Sequence, residues 1–170
     1  MAEADERPMI PIVDKTGTRI SVERKALDMM LTYNSMIDDL GEESANEDGI
    51  PSQIEPSTLR KIIEWCTHHR FDPPFPTEIA DRHEFMETYA TEFDKGFLSS
   101  IDNQELPYML QQVDYLDISS LLAFLVRECA YRIKGKSPQQ LRQEFELGPP
   151  PSEEEQQRIR EEFSYVTQSN

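Results

Sequence analysis

Cys66, His68 and His69 fall within four residues of one another and form the one cluster in the chain whose types suggest chemistry. A thiolate beside imidazoles could hold zinc or serve as an activated nucleophile. Tetrahedral zinc needs four ligands at usable spacing, however, and the remaining His83 and Cys129 stand in no ligand pair. On a helix Cys66 and His69 share a face while His68 points elsewhere. The spacing therefore favours a helix end with solvated histidines over a metal centre. No serine stands in a Gly-x-Ser-x-Gly turn, and the six glycines form no phosphate-cradling loop. Asp38-Asp39 and Glu153-Glu154-Glu155 are paired carboxylates, but they lie in polar runs, and a useful shift in acidity needs burial. Neither a catalytic residue nor a cofactor is expected.

Composition narrows the remaining roles. The chain has 170 residues, enough for one ordinary domain or a small domain with a tail. Its net charge of -16 repels nucleic-acid phosphates and anionic lipid, so neither nucleic acid nor membrane is an expected partner. Protein partners with basic or apolar patches fit better. Cys66 and Cys129 each lie in an apolar helical pattern and read as buried reduced thiols. Met1 to Pro8 is acidic and polar, without the basic start and apolar run of a leader. No stretch approaches the roughly 18 apolar residues of a membrane span. A reducing compartment, cytoplasmic and nuclear, is expected.

The elements that would carry such a surface can be read in order. Met9 to Val13 and Thr18 to Val22 flank Asp14-Lys15-Thr16-Gly17 and predict a β-hairpin. Glu23 to Leu40 turns helical, in two pieces if Thr32-Tyr33-Asn34-Ser35 breaks it, and Gly41 stands at a left-handed cap. Asp38 to Glu55 holds seven acidic residues and no basic one. It reads mostly as a solvated loop, with a short strand at Ile50 to Ile54. Ser57 to Arg70 is a helix with the stripe Leu59, Ile62, Ile63 and Cys66, stopped by Asp72-Pro73-Pro74-Phe75-Pro76. Thr77 to Glu92 reads as a loop with a helical turn, and apolar content resumes over Phe93 to Ile101. Asp102 or Asn103 caps a helix from Gln104 to Tyr115, and a longer one runs from Asp117 to Lys134 before Gly135. Ser137-Pro138-Gln139-Gln140 and Ser152-Glu153-Glu154-Glu155 are capping boxes opening two short helices. The sum is an α+β domain over about 9–134 with an all-helical extension over 135–166.

Two features of the C-terminal part ask for a partner. Asp117 to Lys134 carries Ile118, Leu121, Leu122, Phe124, Leu125, Val126, Cys129 and Ile133, too wide an apolar arc for one stripe. The extension brings only Leu141, Phe145, Leu147, Ile159, Phe163, Tyr165 and Val166 to helices of two to three turns. Isolated helices so short do not persist in water. Helix-coded sequence that cannot pack itself points to folding on a partner. Lys134, Lys136 and Arg142 form a basic island that either compensates a helix dipole or meets an acidic patch.

Several segments then become specific. Ile62-Ile63-Glu64-Trp65-Cys66-Thr67-His68-His69 with Asp72-Pro73-Pro74 resembles the Trp-Cys-x-His-His segment of the Skp family (S-phase kinase-associated protein). Met36-Ile37-Asp38-Asp39-Leu40-Gly41 resembles a helix end of the same family. Tyr115-Leu116-Asp117-Ile118 with Leu121-Leu122, Ile133-Lys134-Gly135-Lys136-Ser137-Pro138 with Leu141-Arg142 and Phe145, and Ser152-Glu153-Glu154-Glu155 through Arg160 match in family order. The resemblance spans about Ile10 to Tyr165. It implies a BTB/POZ-type domain with a C-terminal two-helix extension, acting as the adaptor between an F-box protein and a cullin in SCF (Skp–cullin–F-box) ubiquitin ligases. By resemblance, the F-box would meet Leu121, Leu122, Leu125, Cys129, Ile133, Lys134, Leu141, Phe145, Leu147, Ile159 and Tyr165. The N-terminal region of a cullin would meet Asp114 and Tyr115. The chain departs from the family where Gln112-Val113-Asp114 replaces Ala-Ala-Asn, where Phe93 and Tyr165 replace tryptophans, and over Met29 to Tyr33. These departures imply a divergent paralogue, with a cullin-independent assembly or a free-standing homodimer as the alternatives.

Overall fold

The hairpin forms as its alternation requires. β1 (Met9–Val13) pairs antiparallel with β2 (Arg19–Glu23), setting Ile10 opposite Val22 and Ile12 opposite Ile20. The Asp14 carboxylate closes the turn, accepting from the Thr16 and Thr18 amides at 2.8 and 3.0 Å. In this computed structural model, residues 9–75 and 81–162 are described. β3 (Ile50–Pro51) lies parallel to β1 on its other edge, so the sheet order is β2-β1-β3.

The helix after β2 does break, but at Asp28 to Met30, ahead of the Thr32 to Ser35 run. α1 (Arg24–Leu27) and α2 (Leu31–Leu40) are separate, and α2 ends on Gly41 at φ +83°. Thr32 and Ser35 remain helical with their hydroxyls occupied: that of Thr32 donates to the Tyr115 carbonyl at 2.6 Å and that of Ser35 to the Leu31 carbonyl of its own helix at 3.1 Å.

The acidic stretch is not a loop. Its middle folds as α3 (Glu42–Asp48), with Ala45 fully buried. Glu42 and Glu43 sit in its first turn, where carboxylates suit the helix dipole. At the other end Arg19 donates to the Glu47 and Asp48 carbonyls at 2.8 and 3.0 Å, supplying the cation that α3 lacks. Gly49 follows at φ +83°, and a Cβ there would meet Val13 Cγ2 at 2.6 Å. The close passage of β3 along β1 thus requires glycine.

α4 (Pro56–His69) begins on proline and buries Leu59, Ile62, Trp65 and Cys66. The segment expected to be a loop with a helical turn contains α5 (Arg82–Thr88), capped by Asp81, which accepts from the Glu84 amide at 2.9 Å. α6 (Glu92–Ser99) opens on a Thr91/Asp94 capping box. Asp102 caps α7 (Glu105–Tyr115), accepting from the Gln104 and Glu105 amides. α8 (Ser119–Ile133) starts two residues later than anticipated, because Asp117 takes φ +53°. The chain divides into two units between Lys134 and Gly135. The second contains α9 (Pro138–Glu144) and α10 (Glu153–Glu162), opened by the Ser137/Gln140 and Ser152/Glu155 capping boxes. No helix among the described residues is long and apolar enough to cross a membrane.

α5 answers part of the question posed by α8. Phe85 is fully buried, its ring 5.9 Å from Phe124 of α8 and 5.3 Å from Phe75. The Arg127 guanidinium covers the Phe85 ring at 4.4 Å, and that of Arg82 lies over Tyr131 at 4.0 Å. One flank of α8 is therefore covered from within the chain. Phe85→Ala is expected to cost about 3–5 kcal/mol of stability. Denaturant unfolding measures it, and a loss below about 1 kcal/mol would show that α5 lies outside the cooperative core.

Candidate partner-binding surfaces

The Cys66 cluster is structural. Cys66 is a free, fully buried thiol, and burial pushes its pKa far up, so it stays protonated. His68 is exposed and stacks on Phe93 at 3.9 Å. His69 is not solvated: it is buried, with Nδ1 2.8 Å from Asp72 Oδ2 and Nε2 2.9 Å from Asp94 Oδ1. Trp65 Nε1 donates to the same Asp94 oxygen, and the other oxygen accepts from the Thr91 amide and hydroxyl at 2.8 Å. Both imidazole nitrogens face carboxylates, so neither is left to activate a nucleophile. The network instead ties the start of α6 to α4. No group of three metal-ligating side chains is arranged to hold an ion among the described residues.

The pKa shifts follow from the same geometry. Burial disfavours the imidazolium of His69, but hydrogen bonds to Asp94 and Asp72 outweigh it and raise the pKa above the ordinary histidine value. Burial likewise opposes ionisation of Asp94, and its bonds from His69 and Thr91 overcome that and lower its pKa.

α8 separates its residues by face. Leu121, Phe124, Leu125 and Glu128 point inward. Leu121 and Leu125 are fully buried. In the free chain these two fill the core beneath the face. Leu122 and Cys129 are half-buried, packed at the edge of the core. Val126 and Ile133 are 51% and 42% exposed, and Lys134 is exposed at the C-cap. At 100° per residue, Leu122, Val126, Cys129 and Ile133 form one continuous apolar strip. Val126 belongs to it although it was not among the anticipated contacts; its place four residues after Leu122 was the available signal.

Behind that strip the helix is anchored. Glu128 is buried and takes Arg82 through Nε and Nη2 at 2.9 and 2.7 Å, and Arg132 Nε at 2.8 Å. Arg132 also donates to the Ile101 and Leu98 carbonyls at 2.8 and 3.0 Å. α5, α8 and the end of α6 are thus fastened through one carboxylate.

In the second unit Leu141 is half-buried and Phe145 buried, while Leu147 and Ile159 are exposed. Tyr165 lies outside the described residues. The Lys136 ammonium pairs with Glu144. A cleft of about 670 Å³ separates α9 from α10, with Pro138, Arg142, Pro151 and Ile159 in its walls.

A second surface lies where α7 ends. Asp114 and Tyr115 are both exposed, whereas Val113 and Leu116 are fully buried. The corner is fixed to the start of α2: besides the Thr32 hydroxyl bond, the Thr32 amide donates to the Leu116 carbonyl at 3.3 Å. Leu31, which precedes Thr32, is also exposed.

Comparison with known proteins matches both units. Residues 8–71 match the Skp1 family tetramerisation domain and residues 119–165 the Skp1 family dimerisation domain. The chain is similar to an "E3 ubiquitin ligase complex SCF subunit sconC" of Arthroderma otae, 33% identical over 157 residues covering 92% of this chain and 93% of that one. The protein of the same name from Talaromyces marneffei is 35% identical over 148 residues, 86% and 89% of the two chains. A "Skp1-related protein" of Caenorhabditis elegans is 34% identical over 169 residues, 97% and 95%.

The His69 network has a testable pH signature. Because its folded pKa lies above the unfolded value, its contribution is complete below about pH 6.5 and is lost as pH rises through the folded pKa. Unfolding free energy of the wild type should fall over that range, and that of His69→Gln should not. Parallel profiles for the two proteins would remove the assignment.

Proposed function

The chain belongs to the Skp1 family of non-catalytic adaptor subunits, and from that premise we propose that it joins an F-box protein to a cullin in an SCF-type ubiquitin ligase. In that role it supports ubiquitination of the F-box protein's substrates and their proteasomal degradation, in cytoplasm and nucleus. The observation that carries the reading is the apolar strip of α8, open to solvent on a helix anchored from behind by Glu128.

The F-box would cover Leu122, Val126, Cys129 and Ile133, with Lys134 at the helix end. The second unit would add Leu141, Phe145, Leu147, Ile159 and Tyr165. Leu121 and Leu125 act from beneath, as the packing that keeps the strip straight. Burial of three or four such side chains, at roughly 1.5–3 kcal/mol each, is the scale at which a specific contact forms. The adaptor performs no bond chemistry; it sets the distance between a bound substrate and the rest of the ligase.

The cullin side would use Asp114 and Tyr115. Gln112, Val113 and Asp114 favour a second reading, a paralogue that binds F-box proteins in an assembly without a cullin. Val113 fits this chain's core, so it alters packing rather than surface; Asp114 places a charge on the surface itself. With its strip uncovered, the free chain could also pair with a second copy.

Two measurements decide between these. Adding an F-box peptide should slow hydrogen exchange over residues 137–162, and Phe145→Ala or Val126→Asp should each weaken binding by about 1–4 kcal/mol. Unchanged exchange in that region would end the F-box reading. Capture of a cullin N-terminal fragment should be reduced by Tyr115→Ala while F-box binding is retained; failure of the wild type to capture it would select the cullin-independent assembly.

A further inference from the structure

A cavity of about 240 Å³ opens in the first unit where the end of α4, the α1–α2 junction and the α7–α8 corner meet. It belongs neither to the α8 strip nor to the exposed Asp114 and Tyr115 side chains. Its apolar walls come from Met29, Pro73, Phe75 and Ile118, with an edge of Trp65. Its polar lining is Asp28, Asp72 and Asp117 with His69, Arg70, Ser119 and Ser120, three carboxylates against one guanidinium and one imidazole.

The cations already present are committed. Arg70 Nε lies 2.8 Å from Glu23 Oε2, and the imidazole of His69 stands between Asp72 and Asp94. Asp28 has only the longer approaches of Arg24 and Lys25, at 3.6 and 3.7 Å. The Asp117 carboxylate has no hydrogen bond or ion pair among the described residues. The cavity thus combines apolar walls, room for one long side chain, and an excess of negative charge at its lining.

We propose that this cavity receives an arginine side chain from a partner protein, its methylenes against Met29, Pro73, Phe75 and Ile118 and its guanidinium among Asp28, Asp72 and Asp117. A long amphipathic cation is the side chain that satisfies both kinds of wall at once. An aliphatic occupant would leave the carboxylates facing an apolar group, and an acidic one would meet three like charges. The net charge of -16 attracts basic segments toward the chain in the same sense.

Trp65 is the chain's single tryptophan and lies in the lining, so the protein carries its own reporter. N-acetyl-arginine methylamide, titrated into the full chain at low salt, should change tryptophan fluorescence saturably, and the uncharged citrulline counterpart of similar length should not. Asp117→Asn keeps a residue type that tolerates the left-handed backbone at φ +53°. It should weaken the arginine ligand by about two- to fivefold, and added salt should weaken it further. Asp28→Asn gives the same comparison should circular dichroism show Asp117→Asn unfolded. Equal responses to arginine and citrulline, no saturable response to arginine, or unchanged affinity in the folded variants would overturn the proposal. Neither an F-box peptide nor a cullin fragment enters this assay, so its outcome is separate from that of the adaptor reading.

Discussion

Everything in the first unit is arranged around the excess of apolar surface on α8. A fifteen-residue helix with Leu121, Leu122, Phe124, Leu125, Val126, Cys129 and Ile133 presents more apolar arc than one packing partner can cover. The domain core takes the inward stripe, and Phe85 of α5, backed by Arg127, takes the flank at Phe124. The strip through Val126 and Ile133 stays in water. Its exposure is tolerated because the other two faces bury enough, and its cost of ordering has been met during folding.

Polar networks fix that geometry where apolar packing alone would permit sliding. Glu128 is a buried carboxylate held between two guanidiniums, and such a triad is a poor source of net stability because of the desolvation it requires. Its directional bonds nevertheless define one axial position of α8 against α5 and the end of α6. Asp94 plays the matching part for α6, accepting from Trp65, His69 and Thr91 at once. The Trp-Cys-x-His-His segment therefore serves architecture: tryptophan and the second histidine seat one carboxylate, and cysteine fills the core.

This is also where the sequence was readable and where it was not. The hairpin, the capping boxes and the limits of α4 depend on neighbours in the chain, and local patterns predicted them. α3 was hidden because its cation, Arg19, comes from a strand 28 residues away from Glu47. Of α5 only a helical turn was foreseen, because its anchor Phe85 packs on Phe75 and Phe124, which lie elsewhere in the chain. His69 looked solvated because Asp94 is 25 residues distant. The apolar breadth of α8 was legible, but periodicity alone could not tell which leucines would face inward. Leu121 and Leu125, named as F-box contacts by resemblance, lie in the core of the free chain.

The second unit obeys a different balance. α9 and α10 contain no buried residue, and of the apolar side chains around them Phe145 is buried while Leu147 and Ile159 are exposed. Two to three turns of helix with so little burial are marginal on propensity alone. The capping boxes at Ser137 and Ser152 each satisfy amides that would otherwise face water, worth about 0.5–2 kcal/mol apiece. Caps lower the ordering cost without creating an interface, so they bias the unit toward helix while leaving Leu147 and Ile159 available. A partner that buries those side chains then completes a fold the caps have already begun. α8, by contrast, is fastened through Glu128 and owes its order to packing within the first unit.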